Sequence, residues 1–339
     1  MNLPDIFPPE YSGVVSIRQA GKILHEQAYG YADLPNKRPN RLDTRFVTAS
    51  AGKAFTAAGI LRLIEQGKLA LDSRLGTLVD FDLEQIDPQI TVRQLLTHTS
   101  GIPDYCDEEL VPNYADLFVD FPNYRVRTSR DIMPLFIHMP MTDPPGTRFC
   151  YNNTGFVMLG LIIEAITGLP FDAYLAEAVF APCGMQDTGY FEYDRLPANC
   201  ASAYIWDDTR KEYYTNIYST TAKGLGDGGA FTTAADVERF WRGLYAGKII
   251  SASLAEQMTS PQVAPNCYGL GLWMEKLDGR YMPHFEGSEP GVSFWSAFDA
   301  QRDLIITLIS NRGDRIWGMH REILRQFYQD VPPKFYYGG

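Results

Sequence analysis

The sequence predicts a mixed α/β (α+β) fold in which one sheet is assembled from both ends of the chain around an inserted, mainly helical block. Two observations carry this. Strand-type alternation runs through residues 13–31 and returns after residue 267. Between these regions, helical spacing and turn residues dominate. The implied division places residues 1–70 and 225–339 in the sheet-bearing part and residues 71–224 in the inserted lobe, the whole forming one unit.

The stretch GVVSIRQAGKILHEQAYGY (13–31) reads as a hairpin that turns at Gln19–Gly21. From Ala49 the period becomes helical, with Phe55, Ala58, Leu61 and Ile64 on one stripe and Gly67 as a stop. In the middle block the clearest helix is Thr154–Thr167, ended by Gly168 with Pro170 beyond. A further helix starts at Thr233, where Thr233 and Asp236 have capping-box spacing. Tyr268–Glu275 and Arg280–Gly287 flank an Asp278-Gly279 hairpin signal. Gly291–Phe298 and Leu304–Ser310 add two strands, and an amphipathic helix over Trp317–Tyr328 closes the reading.

Composition narrows the function classes. The 339 residues are 45% hydrophobic and 13% aromatic, enough for a large core and far from the composition of disordered chains. A net charge of −11 argues against a phosphate-neutralising surface, so no nucleic-acid partner is expected. The five cysteines include no CxxC pair and no zinc-type spacing, so neither a disulfide scaffold nor a metal site is expected. The longest apolar stretch, Gly155–Ala165, is well short of the roughly 20 residues that span a bilayer. The opening MNLPDIFPPEYSG lacks the basic and apolar regions of a secretory signal, which makes the cytoplasm the expected compartment.

Two constellations could carry chemistry. In Ser50-Ala51-Gly52-Lys53, residues i and i+3 share a helix face, so the lysine amine can lie beside the serine hydroxyl. A serine needs such a neighbouring base to become a nucleophile, and a desolvated lysine can serve. By itself the spacing is weak, because a serine that simply caps the helix looks the same. Tyr151-Asn152-Asn153 follows the turn Pro144-Pro145-Gly146 and precedes a helix. A tyrosine beside a lysine can relay protons, and an asparagine amide can orient the lysine or bind a carbonyl.

Two rival motifs fail. Gly52-Lys53 lacks the Ser/Thr and the leading glycine of a phosphate loop, where Ala54 and Val47 stand instead. Gly224-Leu-Gly226-Asp-Gly-Gly229 matches GxGxxG, but it follows no apolar strand and its helix starts only at Thr233.

Ser50-x-x-Lys53 followed about a hundred residues later by Tyr151-x-Asn153 resembles the serine β-lactamase and penicillin-binding-protein superfamily. Within it, the class C β-lactamase, DD-peptidase and family VIII esterase branch is the nearest match. Leu63–Asp72, Leu95–Ile102, Pro145–Gly155 and Gly228–Asp236 look like that branch's signature stretches, and the resemblance covers roughly residues 13–328. It implies a five-stranded antiparallel sheet with helices on both faces, and a cleft between sheet and helical lobe. It further implies Ser50 as nucleophile, Lys53 and Tyr151 as proton carriers, Asn153 as orienting group, and the Ser50 and Ser288 amides as oxyanion donors. No cofactor is implied, and the partner is a small acyl substrate. The resemblance makes His98 structural. Asp104, Tyr105, Tyr114, Phe118, Phe121 and Tyr124 are expected to line or lid the pocket.

One family motif is altered. The Lys/His-x-Gly wall of the cleft corresponds to His284-Phe285-Glu286-Gly287, and alignment on Gly287 and Pro290-Gly291 puts Phe285 in the cation slot. Strand side chains alternate, so either Phe285 removes the positive charge or a bulge re-aims His284 into the slot. These four residues are the expected substrate wall. Three readings follow: an esterase-like hydrolase of a small ester or amide; a β-lactamase or D-amino-acid peptidase in which His284 supplies the cation; and a non-catalytic binding protein.

Overall fold

The computed structural model describes residues 6–107, 111, 113–263, 267–313 and 316–332. Its main sheet is built from β1 (Gly13–Gln19), β2 (Lys22–Tyr29), β3 (Trp273–Leu277), β4 (Arg280–Glu289), β5 (Val292–Asp299) and β6 (Leu304–Ser310). The spatial order is β2-β1-β6-β5-β4-β3, with every pairing antiparallel. The two ends of the chain meet where β1 pairs β6, from Gly13 opposite Ser310 to Gln19 opposite Leu304.

The sheet has six strands where the resemblance implied five, in agreement with the strand-by-strand reading. The first hairpin turns through Ala20 (φ +50°) and Gly21 (φ +73°), and β3–β4 through Asp278 (φ +46°) and Gly279 (φ +78°). Two successive positive φ angles make the tight turn whose twist matches that of the strands it joins. Strand β3 begins at Trp273, five residues later than expected from Tyr268. Close packing explains the delay: Gly271 sits at φ +79° with its Cβ position 2.4 Å from Ala57 Cβ, a conformation no flat strand adopts.

Of the four longer helices, α3 (Ala234–Tyr245) packs on β1 and β6 and α4 (Ile316–Leu324) on β5 and β6, while α1 (Lys53–Glu65) and α2 (Asn153–Thr167) pack on each other. Alternation sorts side chains between two cores. Val14, Phe285, Phe294, Ile305 and Ile309 share one with residues of α1, α2 and α3; Val15, Ile17, Trp295, Ile306 and Leu308 share the other with α4. All residues of β5 and β6 are buried, as expected of strands covered on both faces. Helix α2 ends on Gly168 at φ +71°, the expected left-handed stop. At α3 only half of the capping box forms. Thr233 accepts from Asp236 N (3.2 Å), while the Asp236 carboxylate accepts from Asp187 N and the Thr188 hydroxyl.

Residues between the two halves of the sheet contribute α2, several short helical turns and a small hairpin, Tyr204–Asp207 with Glu212–Thr215. Among the described residues no single helix is long and apolar enough to cross a membrane. All five cysteines are free.

The sheet's contribution to the site is a backbone-to-backbone contact. A Cβ on Gly287 of β4 would lie 2.2 Å from Thr48 O and 2.7 Å from Ser50 N. From the other side a Cβ on Gly228 would lie 2.3 Å from Ala49 O. The turn Ala49–Gly52 is therefore clamped between two glycines. Overfilling so tight a contact costs about 1–3 kcal/mol or more, so Gly287→Ala is expected to lower the urea midpoint accordingly. The exposed Gly318 in the first turn of α4, with nothing within 4 Å of its Cβ position, serves as the control. Gly318→Ala is expected to be neutral or to stabilise by up to about 1 kcal/mol.

Candidate active site

Ser50 lies in a 3-10 turn (Ala49–Gly52) that runs directly into α1. It does not cap the helix: the N-cap position is Gly52, which makes no side-chain cap bond. The preceding Ala49 holds a left-handed backbone (φ +47°), rare for a residue with a Cβ. Its carbonyl accepts from Gly229 N (3.0 Å), and Thr48 N donates to Ala230 O (2.8 Å), so the surroundings hold the turn in this shape.

Lys53, one turn further, is 2% exposed. Its ammonium donates to Ser50 Oγ (3.0 Å), Asn153 Oδ1 (2.7 Å) and Asp227 O (2.8 Å). Three acceptors match the three protons of an ammonium. After loss of one proton, the amine could accept the Ser50 hydroxyl along the same 3.0 Å line. The Tyr151 ring centroid lies 5.0 Å from Lys53 Nζ. The structure thus brings Ser50, Lys53, Tyr151 and Asn153 together from segments a hundred residues apart.

The two asparagines divide their work. Asn152 caps α2, its Oδ1 accepting from Gly155 N (2.7 Å), while Asn153 turns to Lys53. Asn153 is held in turn by Asp104, whose Oδ2 accepts from Asn153 N (2.9 Å) and Nδ2 (3.3 Å). The other oxygen accepts from Thr154 N, Thr154 Oγ1 and Cys106 N, each at 3.3 Å. Asp104 therefore braces the site from behind and does not line the cleft as expected. Burial, opposed by these bonds and by Lys53, pushes its pKa up to about 6.

Tyr151 is wedged between rings, 4.4 Å from His98 and stacked at 5.9 Å on Trp273. His98 is buried with both ring nitrogens engaged. Asn152 N donates to Nδ1 (3.1 Å), which leaves the ring proton on Nε2 to reach Tyr268 Oη (3.0 Å). Burial, and then the Lys53 charge, hold its pKa well below the usual imidazole range. A neutral, doubly bonded ring fits the structural role expected of His98.

The cleft in front of Ser50 encloses about 570 Å³ of space open to solvent. Tyr105, Tyr114 and Phe118 line it as expected, together with Asn153, Ser288 and Glu289. Phe121 and Tyr124 are not among its walls. Sequence reasoning missed Asp227, whose Oδ2 accepts from Tyr105 Oη (2.5 Å). The one signal is the glycine run 224–229, which fails as a dinucleotide motif and supplies this wall. Tyr268 and the bracing role of Asp104 left no local signal.

The altered motif resolves into a correction. The β4–β5 register is continuous from His284–Ala297 to Glu289–Val292, so no bulge re-aims His284. Phe285 occupies the slot but points into the core, with ring centroids 5.0 Å from Trp241 and 5.7 Å from Phe240. His284 lies on the opposite face, 2% exposed, near Trp295 and 3.5 Å from Glu286 Oε2. His284, Phe285 and Glu286 therefore do not form the substrate wall; Gly287 contributes backbone contact only. The ladder decides where Ser288 N points. Glu289–Val292 flanks the two-residue turn and is the hydrogen-bonded pair, so the Ser288 amide faces away from β5. On that side β3 pairs only as far as His284.

Residues 10–328 match the family model described as Beta-lactamase, and the chain belongs to that family of hydrolases. It is 30% identical over 304 residues to penicillin-binding protein 4* of Bacillus subtilis, covering 84% of this chain and 64% of that protein. It is 26% identical to the D-aminopeptidase of Cereibacter sphaeroides, covering 91% of this chain and 58% of the relative. The chain thus spans less than two thirds of the length of these two curated relatives. Among solved structures, a penicillin binding protein from Bacillus halodurans superposes with a TM-score of 0.91 at 36% identity, over 96% of this chain and 100% of that one.

Hydrogen bonds to a charged group contribute about 1.5–3 kcal/mol, so Asn153→Ala is expected to lower kcat by roughly 10–100-fold in steady-state assays. Asp104 has its own signature. Because its folded pKa is about 6 and its ordinary value 3.8, the folded chain takes up its proton first as pH falls. Protonation puts a hydrogen on an oxygen ringed by donors, so kcat/KM should fall below about pH 6. In Asp104→Asn that limb should vanish and kcat should be lower throughout; an unchanged limb would assign it to another group.

Proposed function

We propose that this chain is a serine hydrolase that works through an acyl-enzyme on Ser50, acting on a small ester or amide. The observation that carries the reading is Lys53 Nζ at 3.0 Å from Ser50 Oγ, inside a shell that leaves the amine no freedom to turn away. With Lys53 as the neutral amine, Ser50 Oγ bonds to the substrate carbonyl carbon while its proton passes to the lone pair of Lys53 Nζ, with Tyr151 beside it as relay. Collapse of the tetrahedral intermediate breaks the bond to the alcohol or amine, which leaves with that proton. Water then attacks the acyl-Ser50 ester and releases the acid.

Support for the oxyanion hole comes from the glycine contact that draws β4 onto the Ser50 turn and from the ladder parity of Ser288. Two backbone donors converging there would each contribute about 10²–10³ in rate. The reading in which His284 supplies a cation for a carboxylate-bearing β-lactam or peptide lacks support, since that ring is buried behind the sheet. The non-catalytic reading explains neither the Lys53–Ser50 bond nor the bracing behind it.

The test is intact-protein mass after acid-quenched reaction with a short-chain p-nitrophenyl ester. An acyl adduct is expected on the wild type and none on Ser50→Ala, with turnover reduced by at least about 10³-fold. Equal turnover by the variant would refute the assignment.

A further inference from the structure

A group of ionisable side chains lies on the face of the sheet turned away from Ser50. Met282, His284 and Glu286 alternate onto that face of β4, and Glu275 of β3 stands opposite Met282 on it. Glu275 is 3% exposed, and among the described residues neither of its carboxylate oxygens has a hydrogen-bond partner. Glu286, whose Oε2 is 3.5 Å from His284 Nε2, pairs in register with Trp295 of β5. From α4, His320 stacks on Trp295 at 4.8 Å, and Arg321 directs its Nε to Trp317 O (3.0 Å). Tyr268 faces Glu286 from the segment before β3.

An ionised carboxylate buried without a donor is strongly unfavourable, so such a group keeps its proton. Burial first, and the Glu286 charge second, push the Glu275 pKa up to about 8, against a pull from Arg321. Burial likewise holds His320 down at about 3. Near neutral pH both buried groups are therefore uncharged. The other face of β4 touches the reacting turn: Gly287, next to Glu286, has its Cβ position 2.7 Å from Ser50 N.

From this arrangement we infer that Glu275 is a positioning residue, holding a proton in the folded chain that keeps β4 seated on the Ser50 turn. When that proton passes to solvent, Glu275 and Glu286 repel each other and β4 carries Gly287 and Ser288 out of place. Glu275 acts through the strand and touches no substrate. The inference rests on the Ser50 reading only for its catalytic consequence. The folded chain keeps the proton up to about pH 8, whereas the unfolded chain loses it near 4.5, so stability falls as pH rises between these values.

Glu275→Gln keeps the shape of the protonated acid and cannot ionise. The ratio of the wild-type unfolding constant to that of the variant, from urea titrations, is expected to rise about tenfold per pH unit between about pH 5.5 and 7.5. In protein carrying carbon-13 glutamate, one side-chain carboxyl signal should titrate near pH 8 in the wild type and be missing from the variant. Glu286→Gln should move that midpoint down but leave it above the ordinary range, because burial remains. Hydrolysis of p-nitrophenyl acetate, corrected for the spontaneous rate, reports on positioning. The kcat/KM of Glu275→Gln relative to wild type should climb about threefold or more from about pH 7 to 9, whereas a role in packing alone gives a ratio independent of pH. Glutamates that titrate only in the ordinary range, a flat unfolding ratio, or a flat activity ratio would each overturn the inference. Adduct formation on Ser50 is read near pH 7, where Glu275 keeps its proton. Absence of that adduct removes the Ser50 reading and leaves the titration and unfolding results to decide this one.

Discussion

A buried ammonium is the constraint on which the rest of the site depends. Taking a lysine cation out of water costs several kcal/mol unless every proton finds an acceptor. Lys53 meets the requirement with one side-chain hydroxyl, one amide oxygen and one backbone carbonyl, drawn from three separate parts of the chain. The fold must therefore bring the Ser50 turn, the start of α2 and the glycine-rich loop at Asp227 to a single point. Glycines make that approach possible: residues 228 and 287 touch the turn at distances that a side chain would occupy.

The groups around that cation follow from its charge. Asp104 is placed behind Asn153, its negative charge compensating the lysine through one intervening amide. His98, also close, is held neutral and contributes a ring face and two hydrogen bonds. Tyr151 is packed by His98 and Trp273, so its position is set by rings that themselves do no chemistry. These layers fix geometry from behind, and the cleft in front stays open to solvent.

Legibility in the sequence tracked the range of the interaction. Hairpins at Ala20-Gly21 and Asp278-Gly279, and the helix stop at Gly168, were readable because turn chemistry is local. Ser50 and Lys53 can meet because i and i+3 share a helical face, but they are singled out only together with Tyr151-x-Asn153 and the family-like stretches around them. Asp104 and Tyr268 were misjudged or unseen because their partners Asn153 and His98 lie 49 and 170 residues away. Phe285 was left open because alternation gives the face of a strand and not what covers that face. Trp241 and Phe240, contributed by α3, decide it. The late start of β3 has a similar origin, in packing of Gly271 on α1.

Catalysis at Ser50 depends on its activation by Lys53. Its most direct measurement is the pH-dependent rate at which a fluorophosphonate labels Ser50 in the wild type and in Lys53→Met, followed by peptide mass. General-base assistance contributes about 10²–10⁴, so labelling of the variant should be slower by at least that lower bound, with Ser50 as the modified residue in the wild type. Equal rates in the two proteins, or modification at a residue other than Ser50, would contradict it.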